Sequence, residues 1–179
     1  MTIYSLPCKA TIGAIEIAIA PVEYVPVEID AIVEEQDTQL LMGIDTEINY
    51  PDEDFDTLID QMLSGKSVRS PGQIIIKQAQ PLKLKAIIYD INQKPSWKIE
   101  WIAFALKQLV TEIENYNIKT LAMPLLGTVH GKVDENESIE LLCANLNTEQ
   151  ACCLEKLWII APDPACSRIK DTIEEKLAI

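Results

Sequence analysis

The residues best suited to chemistry lie in Met123-Pro124-Leu125-Leu126-Gly127-Thr128-Val129-His130-Gly131-Lys132, between an apolar run and an acid-rich stretch. A glycine turn that leaves a strand and opens a helix presents free backbone N–H groups and a positive dipole end. That arrangement holds phosphate without a cation. A Walker A loop is excluded by spacing: only Thr128, Val129 and His130 separate Gly127 from Gly131-Lys132, and Val133 replaces the hydroxyl that would ligate magnesium. Gly65-Lys66-Ser67 fails as well, because Asp60 stands at the first glycine position, and no G-x-G-x-x-G occurs.

A second segment sets acids beside a glycine: Glu34-Glu35-Gln36-Asp37, then Leu40-Leu41-Met42-Gly43-Ile44-Asp45. An unpaired carboxylate about 4 Å from a phosphate oxygen costs on the order of 4 kcal/mol at an effective dielectric near 20, roughly three decades of affinity. Acids here therefore decide whether an anion can bind. His130 is the only histidine, so metal sites needing two imidazoles are excluded and any Ser-His-Asp or Cys-His catalysis must use it. Cys8, Cys143, Cys152, Cys153 and Cys166 are odd in number and lack C-x-x-C spacing, which reads as reduced thiols rather than a disulfide framework or zinc site.

The elements that must position these segments follow from periodicity. Strands are predicted over 14–19, 30–33, 73–76, 85–89, 119–123 and 157–160, six short β-branched or aromatic runs bounded by Pro, Gly or Asn. Ile102, Leu106, Leu109, Val110 and Ile113 recur at helical spacing within 97–116, with Ser96 placed to cap the first turn. Further helices are predicted over 134–146, 167–177 and 54–63. Strands alternating with amphipathic helices mean one α/β domain spanning residues 1–179, its sheet covered on both faces. Ligands in such sheets bind beyond the carboxyl ends of the strands, which selects the loops after Val33 and after Met123.

Totals narrow the function classes. The chain has 179 residues, 48% hydrophobic, and a net charge of −13. All of that surplus falls in residues 1–60, where fourteen acids face Lys9 alone. A face this negative repels phosphate backbones and anionic lipid, so neither nucleic acid nor a membrane surface is expected as a partner; a basic protein is. No apolar run reaches the ~18 residues of a membrane span, and the first residues do not read as a secretory signal, so a cytoplasmic location is expected.

The order Asp30-Ala31-Ile32-Val33, Pro71-Gly72-Gln73-Ile74-Ile75-Ile76, Leu84-Lys85-Ala86-Ile87-Ile88-Tyr89, long helix, then Ile118-Lys119-Thr120-Leu121-Ala122-Met123-Pro124-Leu125-Leu126-Gly127-Thr128 resembles the macro domain over roughly residues 15–179. The resemblance implies a three-layer α/β/α module with a mixed sheet of about six strands that binds ADP-ribose. Some macro domains hydrolyse ADP-ribosyl derivatives. Position by position, it implies Glu23 at the adenine-binding acid and Asp37 at the second asparagine of N-A-A-N. Gly43, with Ile44 and Asp45, falls in the first glycine run, and Gly127, Thr128, Val129, His130 and Gly131 fall in the second. Val129 replaces the middle glycine, and Asp163-Pro164-Ala165-Cys166 supplies no ring to stack on adenine.

Three functions are compatible with these residues: an ADP-ribose-type binding module without hydrolase activity, metal or cofactor; a macro-like domain that has lost the ligand and docks a basic partner through its acidic first third; and a hydrolase in which Asp37 or His130 activates water.

Overall fold

The computed structural model describes residues 7–25, 27–40, 42, 69–147 and 153–178. The described strands are β1 (Cys8–Ile12), β2 (Ile15–Ala20), β3 (Ala31–Asp37), β4 (Ile74–Lys77), β5 (Leu82–Tyr89), β6 (Thr120–Pro124) and β7 (Lys156–Ile160). The described helices are α1 (Ile99–Asn115), α2 (Glu135–Leu146) and α3 (Asp163–Leu177). The strands form one mixed sheet in the order β1-β2-β7-β6-β3-β5-β4. Pairing is parallel from β2 through β5 and antiparallel at both edges. The five parallel strands end along one edge of the sheet, as the α/β pattern requires.

Alternation divides the sheet into two faces. Ile15, Ile17, Ile19, Ala31, Val33, Leu121, Met123, Leu157 and Ile159 join the main core with the buried residues of the three helices. Ala20, Ala122 and Trp158 form a second cluster on the opposite face, covered by Tyr24, Val27 and Ile29 from the β2–β3 connection. Trp158 Nε1 donates to the Ala20 carbonyl at 3.0 Å, pairing the one polar atom of that ring.

Seven strands stand where six were predicted: Cys8–Ile12 pairs antiparallel with β2 through the Gly13 turn, at φ +56°. β3 continues to Asp37, four residues beyond the expected end at Val33, because Glu34 to Gln36 keep pairing with Lys85 to Ile87 of β5. Helix α1 starts after Lys98 without a side-chain cap, and the Ser96 carbonyl instead accepts the Asp90 amide at 2.7 Å. α2 begins as predicted, with Asp134 accepting the Asn136 amide at 2.9 Å. α3 begins at Asp163, four residues earlier than expected, just after Pro162. The helix expected over 54–63 lies outside the described residues.

Asp30, which opens the D-A-I-V run, is a clamp between strands. Its Oδ2 accepts the amides of Lys119 and Thr120 at 3.0 and 2.9 Å, and its backbone carbonyl accepts the Leu82 amide. It thereby aligns the amino ends of β3, β5 and β6 and so sets where β3 and β6 finish. Burial pulls its pKa up, but the Thr120 and Lys119 amides, the Thr120 hydroxyl and the Lys119 charge outweigh this and hold it below 3.8. A depressed folded pKa contributes stability above the ordinary value that is lost as pH falls through the folded one. Asp30→Ala is expected to cost about 1–2 kcal/mol in urea unfolding at pH 7, the deficit shrinking below pH 3.8.

Candidate functional site

β3, β5 and β6 end side by side, and three residues meet at their carboxyl ends: Glu35 of β3, Tyr89 of β5 and Gly127 of the loop after β6. Strand alternation sends Glu35 to the face that buries Ala31 and Val33, beneath the helices. The β3–β5 register slips between Gln36 and Asp37, leaving Ile88 as an extra residue opposite that step. Both Ile88 and Tyr89 consequently join the helix-side core, which puts the phenol on the same face as Glu35.

The contacts are short and directional. Glu35 Oε1 accepts the Gly127 amide at 2.7 Å, and Oε2 accepts the Tyr89 hydroxyl at 2.9 Å. The Gly131 and His130 amides lie near enough to the Tyr89 oxygen to act on its pKa, lowering it. The His130 ring stands edge-on to Tyr89 with centroids 6.3 Å apart. One loop amide and a phenol from the neighbouring strand thus converge on a single carboxylate. Burial pushes Glu35 above the ordinary 4.5 despite the Gly127 amide, the Tyr89 hydroxyl and the His130 charge. Tyr89 is driven far above its usual range by burial and by the Glu35 charge beside it, so it stays a neutral donor.

The loop itself is a tight turn into α2. Thr128 N and its hydroxyl both donate to the Leu125 carbonyl, the latter at 2.7 Å, and Ser138 of α2 donates to the Leu126 carbonyl at 3.0 Å. Gly127 has φ +83°, and a Cβ there would meet Ile102 Cδ1 and, at 2.7 Å, Val133 Cγ2. Gly131 faces the Gly127 carbonyl equally closely. Gly127 is required by its left-handed backbone and by contact with α1, and Gly131 by the nearness of the Gly127 carbonyl. Val129 and His130, by contrast, are exposed, Val129 at 60%.

The predicted site residues divide by position. Gly127, Thr128, Val129, His130 and Gly131 form the described loop. Asp37 is fully buried at the end of β3, where its two oxygens accept the amides of Gln39 and Met42 at 2.7 and 2.8 Å. Next to it Thr38 donates to Asp90 Oδ1 at 3.4 Å, tying this turn to the one after β5. Glu23 is exposed in the Pro21–Tyr24 turn after β2, with β7 between β2 and β6. Gly43, Ile44 and Asp45 lie outside the described residues. Glu35 and Tyr89 were not singled out from sequence. The available signal was register: an acid two residues after Val33 on a strand that buries Ala31 and Val33. Among the described residues no cluster of three His, Cys, Asp or Glu side chains could hold a metal. Nor is any described helix long and apolar enough to cross a membrane. Among the described residues Cys8, Cys143, Cys153 and Cys166 form no disulfide.

Solved structures match this architecture nearly end to end. The Oceanobacillus iheyensis macrodomain with ADP aligns with a TM-score of 0.65 and 14% identity over 96% of this chain and 95% of that one. This chain has the macrodomain fold. A mutant of the same macrodomain with ADPR gives 0.63 at 16% identity, over 96% and 97%. The macrodomain of Thermus aquaticus DarG gives 0.61 at 19%, over 82% and 98%. No family model matches the chain, and no curated protein matches it in sequence. In this macrodomain fold, the loop after β6 faces a carboxylate of the chain itself.

Two measurements test the site. Gly127→Ala is expected to lose about 2–4 kcal/mol in urea unfolding, from left-handed strain plus the clash with Ile102 and Val133. Because the folded pKa of Glu35 is raised, its contribution to stability is complete below 4.5 and is lost as pH rises through the folded value. Glu35→Gln is therefore expected to gain stability relative to the native chain as pH rises above 4.5, with the difference levelling off above the folded pKa; a pH-independent difference would refute the assignment.

Proposed function

We propose that the chain is a binding module for ADP-ribose or a related nucleotide derivative, acting without hydrolysis. The observation that carries this reading is the Gly127 amide donating at 2.7 Å to a carboxylate: the loop after β6 is an anion receptor in its backbone geometry. Its position at the carboxyl ends of parallel strands is where this class of sheet binds ligands. The likeness to macrodomains solved with ADP and ADPR supports the nucleotide class.

The acids nearby support binding over turnover. Asp37 holds the amides of its own turn, and Glu35 holds Gly127 and Tyr89, so each is engaged as an acceptor rather than directed at a water. His130 is exposed at the loop tip and stands against Tyr89 rather than beside a nucleophile.

The same Glu35 contact favours a second reading, in which the fold has given up the nucleotide and acts by docking a basic protein. Glu16, Glu23 and Glu28 of the acidic first third are exposed. Binding to such a partner would weaken steeply with salt.

Calorimetric titration and a thermal melt with ADP-ribose separate these readings. The expected result is measurable heat and a rise in Tm equivalent to about 1.4 kcal/mol at ten times Kd, with no ADP-ribosyl hydrolysis. No heat and no shift at millimolar ligand would leave the protein-docking reading. Turnover abolished by Asp37→Ala or His130→Ala would establish a hydrolase instead.

A further inference from the structure

We propose that Glu35 is the specificity-determining residue of this site: its carboxylate is a tethered anion seated on the Gly127 amide, and a phosphate-bearing ligand binds only by displacing it. The inference rests on the nucleotide-binding reading above and adds the residue that sets which anions are admitted.

Three observations converge. First, Glu35 departs from the pattern of its own strand. Ala31 and Val33, on the same face, are 0% and 2% exposed, and an apolar residue at position 35 would continue that core. Half-burying a carboxylate there is unfavourable unless dedicated donors receive it. Second, the donors are dedicated: the Gly127 amide takes one oxygen and the Tyr89 hydroxyl the other. The carboxylate thus joins the loop to the neighbouring strand through two directional bonds. Third, no Lys or Arg is among the described hydrogen-bond or ion-pair partners of Glu35. An amide and a hydroxyl can receive another anion in its place, whereas a salt-bridge partner would hold the carboxylate by charge.

The consequence is a built-in competitor. A phosphate oxygen approaching Gly127 meets a fixed negative charge already on that donor, the like-charge contact that removes roughly three decades of affinity at about 4 Å. Weakly competing anions are excluded. A ligand with further contacts along the cleft can overcome the carboxylate, and selectivity arises from that threshold.

The test is calorimetric titration of the native chain, Glu35→Gln, Glu35→Ala and Tyr89→Phe with ADP-ribose and with inorganic pyrophosphate. Circular dichroism and a thermal melt check the fold of each variant. Glu155→Gln is the control for net charge, since Glu155 lies at the amino end of β7, paired with Lys119 at 2.9 Å. Both Glu35 variants are expected to bind pyrophosphate and ADP-ribose at least tenfold more tightly than the native chain, with Glu155→Gln unchanged. Tyr89→Phe, which frees one carboxylate oxygen, should show a smaller gain and carries the test if the Glu35 variants do not fold. Equal or weaker binding by the folded variants, with the native chain binding ADP-ribose, overturns the role of Glu35 and leaves the proposed function standing. A gain for pyrophosphate without any ADP-ribose binding keeps the role of Glu35 and removes the nucleotide. Absence of binding by every protein removes both.

Discussion

The hydrogen bond from the Gly127 amide to Glu35 is the contact on which the carboxyl edge of this sheet depends. A half-buried carboxylate is costly, and a loop amide without an acceptor is costly too; joined at 2.7 Å, each offsets part of the penalty of the other, while burial still holds the Glu35 pKa above 4.5. The Tyr89 hydroxyl donates to the same carboxylate, so β3, β5 and the loop into α2 are linked through two side chains. The polar edge of the sheet is organised by an internal anion much as a bound one would organise it.

That contact needs a sheet that brings three strand ends to the same level. The Asp30 clamp aligns β3, β5 and β6 at their amino ends, and the single-residue slip in β5 turns the Tyr89 ring toward the helices. Gly127 is possible only as glycine because Ile102 of α1 and Val133 lie against its Cα. Core packing and the polar site are therefore not separable here: the residues that close the loop against α1 also aim its amide at β3.

Much of the architecture was legible in the order of segments. Hydrophobic periodicity located six of the strands and the helices over α1 and α2, because each buries one face and alternation or helical spacing records that burial. The boundaries were less legible. β3 was expected to stop at Val33 because Glu34 and Glu35 look like a solvated loop, yet main-chain pairing with β5 continues to Asp37. β1 was not predicted, since Cys8–Ile12 is a strand by virtue of pairing with β2, and α3 begins at Asp163 because Pro164 fits the first turn of a helix although Asp163-Pro164 resembles a turn in sequence. The glycine loop was readable from Gly127 and Gly131, whose role is local. Its partner was not, because Glu35 is 92 residues away and its side of the strand depends on how far β3 extends.

By itself the sequence determined an α/β alternation, an acidic first third and a glycine loop between an apolar run and a helix, since these are properties of local spacing and composition. Only the tertiary structure decided what that loop faces. Which groups meet at a sheet edge depends on strand order and register, set by pairing between distant segments. Here that pairing delivered a carboxylate of the chain itself to the amide of Gly127.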